Sequence, residues 1–417
     1  MKKLLLPLCT LLILPCFLFG QDSPAALFEN PLANSDVAAF DQLKDHFHKY
    51  VNEGILAGTA ILVHQGTAQK QDFYGFQNLE KQIPVSENTI FRLASMTKPI
   101  TSVAIMMLVE QGKIDLDDPI EKYIPAFESI QVYLSGTERI SPASRPTIRQ
   151  LLSHTGGLSS GYDASPAGQF CAKTVAEKKP KDLEELVETL AGIPLAFQPG
   201  TDWAYSYSTD VLAYVVEQVS GKTIDVFFQE YIFDPLNMPN TRFQVPADKI
   251  DNFAALYSIN PEGKLQVLDS PEESPYTDGT YFPRGNGGLT STLADYYRFT
   301  KMLLQNGVLD GVRILKEETI ALMTQNMLTE DILPISVGGQ PLPGWGFGLG
   351  FGVMLPETGI GSSGDYFWPG GAFTYFFVNP KEERIGIFMT QLSDKSKMNI
   401  LFEFHKLAGA VFFQGQH

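Results

Sequence analysis

The chain has 417 residues, of which 44% are hydrophobic and 19% are charged, which is the composition of a folded globular protein. Its 47 acidic side chains outnumber 31 basic ones and give a formal net charge of −16. Binding of nucleic-acid phosphates requires a cationic surface, so this charge argues against a nucleic-acid partner and against anionic membranes.

The first twenty residues have the features of a secretory signal peptide. Lys2 and Lys3 precede an uncharged apolar run over residues 4–19, and Gly20 supplies a small residue before the polar Gln21. A membrane anchor is the weaker alternative, because the apolar run is short for a bilayer span. We therefore expect an exported protein, periplasmic or secreted, from which this segment has been removed.

Cysteine usage bears on the same question. Cys16 raises the alternative of a lipoprotein signal, but Pro15 stands where a small residue is required. After cleavage only Cys171 of the three cysteines would remain, which leaves no intramolecular disulfide. No later stretch has the length of a transmembrane helix. An exported chain of this kind must be stabilised by its hydrophobic core alone.

Helical and extended patterns then alternate along the chain, after a linker at residues 21–35. Apolar residues spaced by three and four predict helices, and short runs rich in apolar and β-branched residues predict strands. In chain order the predicted elements are a helix over 37–51, strands over 58–64 and 69–76, a helix over 95–111, short helices at 148–152, 183–190 and 211–219, a helix over 292–307, strands over 345–354, 374–379 and 384–391, and a helix over 397–412.

This order predicts the domain organisation. Residues 36–115 and 286–412 supply strands with flanking helices and are expected to form one α/β lobe. Residues 116–285 are mostly helical and are expected to form a second lobe inserted into the first. Together they make one domain over residues 36–412, and the junction of two lobes is a common place for a cleft.

A Ser-x-x-Lys sequence supplies the first candidate for catalysis. Ser95 and Lys98 are three residues apart, so on a helix they share one face and the amine can reach the hydroxyl. A partly desolvated lysine can take the proton of a serine and so activate it as a nucleophile. The start of a helix also presents backbone N–H groups to an attacked carbonyl. The tetrapeptide alone is a weak signal, because Ser95 could equally be a helix N-cap.

Five sequence blocks together are much more specific. The blocks are FRLASMTKP at 91–99, LLSHTGGL at 151–158, PG with WAYS at 199–206, GGLTST at 287–292 and WPGG at 368–371. In their order and spacing they resemble the serine β-lactamase-like superfamily, which contains class C β-lactamases, D,D-peptidases and family VIII esterases. The resemblance covers residues 36–412 and implies a mixed α/β (α+β) fold, with an antiparallel sheet flanked by helices.

The resemblance also implies roles for individual residues. It makes Ser95 the acylated nucleophile, Lys98 its proton acceptor and Tyr205 the tyrosine that moves the proton to the leaving group. A tyrosinate at Tyr205 would need its pKa lowered by a cation, and Lys98 is the obvious one. The backbone N–H groups of Ser95 and Gly371 would form the oxyanion hole. The resemblance implies no cofactor, and the sequence shows no metal-binding spacing.

Two departures from the family pattern bear on the substrate. Tyr207 stands where the second motif usually has Asn, and Trp368, Pro369 and Gly370 stand where the third motif usually reads Lys/His-Thr/Ser-Gly. The usual cation and hydroxyl would hold a substrate carboxylate, and both are missing. With Trp368, Gly370 and Tyr207 as substrate-binding residues, the site is expected to favour neutral acyl esters, as in family VIII esterases with a tryptophan in this motif.

The resulting expectation is an exported serine hydrolase, most simply a carboxylesterase acting on a small ester or amide. One alternative is a β-lactamase or D,D-carboxypeptidase of the same fold, for which Arg284 is the nearest replacement cation. A second alternative is a non-catalytic cell-wall or ligand-binding relative. The Gly-x-Ser-x-Gly sequence at 157–161 also matches α/β-hydrolases, but it lacks the required preceding strand and is expected to be a loop. His154 is expected to be a structural hydrogen-bonding residue.

Overall fold

The structure, a computed structural model, describes residues 36–161, 165–337, 339–356 and 359–411. The predicted signal peptide and the linker at 21–35 lie outside the described residues. Among the residues that are described, no helix combines the length and apolar character needed to cross a membrane. The α-helices are α1 (Asp36–Asn52), α2 (Thr97–Glu110), α3 (Ile148–Leu152), α4 (Pro166–Lys178), α5 (Leu183–Ala191), α6 (Ser208–Ser220), α7 (Ile224–Phe228), α8 (Pro275–Asp278), α9 (Leu293–Leu304), α10 (Glu317–Met323) and α11 (Asn399–Gly409).

An eight-stranded antiparallel sheet forms the centre of the molecule, in the order β4-β5-β6-β7-β8-β1-β2-β3. Its strands come from the two ends of the folded chain, because three precede the helical segment and five follow it. This is the expected mixed α/β fold. The strands are β1 (Gly58–Gln65), β2 (Ala68–Asn78), β3 (Ile83–Pro84), β4 (Trp345–Phe347), β5 (Gly352–Met354), β6 (Tyr366–Gly370), β7 (Thr374–Asn379) and β8 (Arg384–Met389).

Helices cover both faces of this sheet. On one face Phe47 of α1 packs against Phe388 of β8 and Phe404 of α11, with ring centroids 4.9 and 5.8 Å away. On the other face Tyr296 of α9 lies 5.4 Å from Phe376 of β7. All residues of β7 and β8 are therefore buried. A strand covered on both faces has a continuous apolar sequence rather than an alternating one.

Helices α2 to α8 and two short hairpins occupy the described part of the chain between β3 and α9. The two-residue strand Phe91–Arg92 pairs with Thr290–Ser291, and it leads the chain from the sheet into α2. The boundaries assigned to the two lobes stay a prediction. The other short strand pairs are Val132–Ser135 with Glu138–Ile140, Leu256–Ile259 with Leu265–Asp269, Val308–Leu309 with Val312–Arg313, and Ser336–Val337 with Gln340–Pro341.

Most element positions agree with the periodicity of the sequence, and two differ in an informative way. The single strand predicted over 345–354 is two strands, because Gly350 has φ +97° and the chain turns where Gly348 N–H donates to the Phe351 carbonyl at 2.8 Å. The helix predicted to start at Ser95 begins as a 3₁₀ turn over Ala94–Met96. Residues in that turn are positioned by the tertiary structure rather than by helix propensity.

Candidate active site

Ser95 lies where the chain leaves the sheet region and enters α2. Leu93 N–H donates to the Leu289 carbonyl at 2.8 Å, and the Leu93 carbonyl accepts a hydrogen bond from Thr374 Oγ1 of β7 at 3.0 Å. Ala94 then has φ +47°, a left-handed conformation that is uncommon for a residue with a side chain. Such strained residues cluster at functional sites, where the surroundings enforce them. The local backbone therefore presents Ser95, which is partly exposed.

Lys98 lies beneath Ser95 and is almost completely buried, with 4% of its surface exposed. Its Nζ is 3.4 Å from Ser95 Oγ and donates a hydrogen bond to the backbone carbonyl of Asn286 at 2.7 Å. Burial disfavours the ammonium form and lowers the pKa of Lys98 to about 7, although the Asp210 carboxylate opposes this. Near neutral pH much of the lysine is therefore the free amine, which can accept a proton.

Tyr205 completes the predicted trio from a position 110 residues away in sequence. Its phenol O–H donates to Ser95 Oγ at 2.6 Å, and Lys98 Nζ lies 4.5 Å from the ring centroid. The lowered pKa that a tyrosinate role would need is not found. Burial raises the pKa of Tyr205 to about 12, in spite of the hydrogen bond to Ser95, which acts in the opposite direction. Tyr205 is therefore a neutral phenol that can donate a proton, while Lys98 is the group able to accept one.

His154 supports the segment that carries Tyr205. It follows α3 with φ +58°, is 2% exposed, and pairs through Nδ1 with Ser206 Oγ at 3.0 Å. Its carbonyl accepts a hydrogen bond from Ala204 N–H at 3.1 Å, and its ring lies 5.3 Å from that of Tyr205. Burial lowers its pKa to about 3, so the imidazole is neutral. The expectation that His154 is a structural hydrogen-bonding residue is confirmed.

A buried carboxylate that the sequence analysis missed organises the loop beside Lys98. Asp210, in the first turn of α6, is fully buried, and it accepts hydrogen bonds from Asn286 N–H at 3.0 Å and from Arg284 Nη2 at 3.2 Å. The backbone carbonyl of the same Asn286 accepts the hydrogen bond from Lys98 Nζ. An aspartate early in a helix is usually an exposed N-terminal residue, so the sequence carried no specific signal for this role.

Arg284 and Tyr207 lie next to each other. The guanidinium of Arg284 is 5.7 Å from the centroid of the Tyr207 ring, and its charge is paired with Asp210. Tyr207 is the N-cap residue of α6, and its backbone N–H donates to the Ser159 carbonyl at 3.4 Å. Arg284 is therefore near the site, as expected for a replacement cation, but a buried carboxylate already neutralises it.

The third motif lies at the end of β6. Trp368 is 3% exposed, and its ring centroid is 5.4 Å from that of Tyr205 and 5.2 Å from that of Phe347. A Cβ atom on Gly370 would lie 2.1 Å from Thr374 Oγ1 and 2.3 Å from the Leu93 carbonyl oxygen. Only glycine permits this approach.

The approach of Gly370 to Leu93 brings two predicted hydrogen-bond donors into one region. Ser95 follows Leu93 by two residues, and Gly371 directly follows Gly370 and is exposed. The backbone N–H groups assigned to an oxyanion hole therefore belong to two chain segments that are in contact. A pair of backbone donors at such a place can stabilise the negative charge that develops on an attacked carbonyl oxygen.

The structure also bears on the second serine motif. The Gly-x-Ser-x-Gly sequence follows the short helix α3 in an irregular loop, and Ser159 is buried, so an α/β-hydrolase nucleophile is wrong. Among the described residues no group of three or more His, Cys, Asp or Glu side chains is arranged to hold a metal ion. Cys171 is a buried free cysteine.

Comparison with known proteins agrees with this geometry. Residues 40–410 match the Beta-lactamase family. Lovastatin esterase of Penicillium rubens is 30% identical over 74% of this chain and 80% of its own length. Esterase EstB of Burkholderia gladioli is 29% identical over 80% and 85%. The solved structure of EstCE1, a hydrolase with promiscuous acyltransferase activity, superposes with a TM-score of 0.76 at 24% identity, covering 90% of this chain and 99% of that one. The chain belongs to the Beta-lactamase family and is a serine hydrolase of the β-lactamase fold.

Proposed function

We propose that the protein is a carboxylesterase that hydrolyses small, neutral esters through an acyl-enzyme on Ser95. The observation that carries this proposal is the arrangement of the trio. Ser95 Oγ accepts a hydrogen bond from the Tyr205 phenol at 2.6 Å and lies 3.4 Å from the Lys98 amine. Lovastatin esterase and esterase EstB, the two relatives described above, are esterases by name, which supports the same activity here.

The charges around Ser95 favour an uncharged substrate. Buried Trp368 occupies the position of the cation that would bind a substrate carboxylate in the third motif. Arg284 is the nearest alternative, but its guanidinium is held by Asp210 and lies against the Tyr207 ring. Releasing Arg284 for a substrate carboxylate would leave Asp210 buried and unpaired, which is costly. A neutral ester requires no such rearrangement.

The proposed reaction follows from the protonation states. The free amine of Lys98 takes the Ser95 proton as Oγ attacks the ester carbonyl, and the developing oxyanion is stabilised by the N–H groups of Ser95 and Gly371. Tyr205, a neutral phenol in contact with Ser95 Oγ, supplies the proton to the leaving alcohol. Water then attacks the acyl-enzyme by the reverse proton movements and releases the acid. The proposal uses no cofactor.

Release of p-nitrophenol from p-nitrophenyl butyrate by wild type and Ser95→Ala tests the proposal. Activity should be present in wild type and fall by roughly a thousand-fold or more in the variant, because the covalent route is lost. Ser159→Ala is the matched control, since Ser159 lies in the other serine motif, where its Oγ accepts a hydrogen bond from Gly161 N–H. Equal activity in wild type and Ser95→Ala would overturn the assignment of the nucleophile.

The two alternatives are separated by parallel assays. Turnover of nitrocefin faster than of esters would favour a β-lactamase, and release of D-alanine from a D-Ala-D-Ala peptide would favour a carboxypeptidase. A fluorophosphonate probe labels activated serines, so wild type should be labelled and Ser95→Ala should not. Failure to label folded wild-type protein would favour the non-catalytic, ligand-binding alternative.

Export is a separate part of the proposal. It is supported by the charged and apolar pattern of residues 1–20, which precede the described residues. Expression in a bacterial host followed by fractionation should place the protein in the periplasm or the medium, with Edman sequencing starting near Gln21. Retention of Lys2 and Lys3 in a cytoplasmic product would contradict export and leave the proposed chemistry unaffected.

A further inference from the structure

The side chain of Trp368 contains a buried hydrogen-bond donor without an acceptor. Within the described part of the chain, its Nε1 has no hydrogen-bond partner, although the residue is only 3% exposed. Burying an indole N–H without an acceptor is unfavourable, and such groups in native proteins call for an explanation. The donor lies in the aromatic cluster directly beside the catalytic trio.

The phenol of Tyr205 is the acceptor that the neighbourhood offers. The two rings are in contact, with centroids 5.4 Å apart and planes inclined by 41°. The Tyr205 proton is committed to Ser95 Oγ, so the phenol oxygen has lone pairs available for a further donor. Trp368 acts to lower the pKa of Tyr205, although its Nε1 makes no hydrogen bond of normal geometry while the phenol is neutral.

We propose that Trp368 is a catalytic residue whose Nε1–H donates a hydrogen bond to the Tyr205 oxygen when that oxygen becomes a phenolate during acylation. This inference rests on the proposed esterase function and assigns Trp368 a role beyond supplying apolar surface to the substrate. A donor that gains its full partner only when charge develops stabilises the transition state more than the ground state.

The step balances without any further reactant. The Ser95 Oγ–carbon bond forms and the carbon–oxygen bond to the alcohol breaks, while the Ser95 proton moves to Lys98. Tyr205 gives its proton to the alkoxide oxygen and keeps the electron pair as a phenolate. Lys98 is now an ammonium 4.5 Å from the Tyr205 ring and can return a proton to the phenolate once the alcohol has left. During this interval Trp368 and Lys98 both stabilise the negative oxygen.

A second tryptophan in the same cluster provides a matched control. Trp203 is also buried, and its Nε1 also has no partner among the residues described. Its ring lies further from Tyr205, with centroids 6.5 Å apart, and is nearly parallel to it at 22°. The two tryptophans share their chemistry and the cluster, but of the two it is Trp368 that acts on the pKa of Tyr205.

The leaving group makes the proposal testable. Ethyl butyrate releases ethoxide, which must be protonated, whereas p-nitrophenyl butyrate releases a stable anion that needs no proton from Tyr205. Both form the same butyryl-enzyme, so kcat/KM compares acylation alone. In Trp368→Phe the value for ethyl butyrate should fall roughly 10- to 100-fold more than the value for p-nitrophenyl butyrate. In Trp203→Phe the ratio of the two values should equal that of wild type.

The ratio is measured on each variant by itself, so it does not depend on how much of the variant is folded. If Trp368→Phe yields no folded protein, benzothienylalanine at position 368 replaces only the N–H by sulfur and retains the ring shape. A wild-type ratio in the position-368 variant, or an equal change in Trp203→Phe, would overturn the inference. Absence of ester hydrolysis in wild type would instead overturn the proposed function.

Discussion

Lys98 Nζ donates a hydrogen bond to the backbone carbonyl of Asn286 at 2.7 Å and lies 3.4 Å from Ser95 Oγ. A neutral amine that donates to a carbonyl keeps its lone pair, which is therefore available to the serine proton. The carbonyl is itself held in place because Asn286 N–H donates to the buried Asp210 carboxylate. The position and the protonation of the base thus depend on a loop almost 190 residues away in the sequence.

The first prediction concerns the pH dependence of wild type. Because the pKa of Lys98 is lowered to about 7, protonation below that pH removes the base, and kcat/KM should rise with pH through about 7 and then level off. Tyr205, with its pKa raised to about 12, should cause no loss in the neutral range. Initial rates with p-nitrophenyl butyrate from about pH 5 to about pH 9 check this. A profile flat across that range would contradict the assignment of Lys98 as base.

The second prediction uses two charges that act on Lys98 in opposite directions. The Asp210 carboxylate raises the pKa of Lys98, and the Arg284 guanidinium lowers it. Asp210→Asn should therefore move the acidic limb of the kcat/KM profile to lower pH, and Arg284→Met should move it to higher pH. Each variant also leaves one charge without its partner, so the melting temperature of both should fall. If the acidic limb moved in the same direction in both variants, it would not reflect the protonation of Lys98.

The third prediction concerns the approach of β6 to the nucleophile. Gly370→Ala would place a methyl group against Thr374 Oγ1 and the Leu93 carbonyl, so the turn that carries Ser95 must move. We expect kcat to fall by roughly 100-fold, since displacement of a reacting group by about 1 Å has that effect. Gly371→Ala is the matched control for stability. Nothing lies within 4 Å of a Cβ there, and its melting temperature should match wild type.

The fourth prediction concerns stability in mild acid. Burial lowers the pKa of His64 to about 4, of His154 to about 3, and also that of His405. The unfolded chain then binds protons that the folded protein does not, so stability is complete above the ordinary histidine pKa of about 6.5 and decreases below it. Each buried histidine contributes a loss of about 1.4 kcal/mol per pH unit in this window.

Urea unfolding of wild type and His154→Gln at about pH 7 and about pH 5 measures the contribution of one histidine. Glutamine keeps a polar side chain for the partner Ser206, which accepts or donates at 3.0 Å in wild type. The difference in unfolding free energy between the two pH values should be smaller in the variant. An unchanged difference would mean that His154 becomes protonated in the folded protein.

Local sequence was sufficient for much of the fold. The apolar spacing after residue 36 predicted α1, and the buried runs at 58–64, 374–379 and 384–391 predicted β1, β7 and β8 within a few residues. Helix α1 packs one apolar face against the sheet, and the three strands are almost completely buried. The spacing of their apolar residues therefore reflects their burial directly. The run at 345–354 was less informative, because a turn at Gly350 divides two buried strands of similar composition.

The sequence by itself determined which residues are proposed to carry the chemistry, since Ser95, Lys98 and Tyr205 stand in blocks whose order and spacing are specific. Tertiary structure alone decided their protonation states. The pKa of Tyr205 is raised and that of Lys98 lowered chiefly by burial, and this burial is produced by segments distant in sequence, such as those that carry Trp368 and Asn286. Desolvation and Coulomb interaction depend on distances in space, and these exist only once the distant segments have packed together.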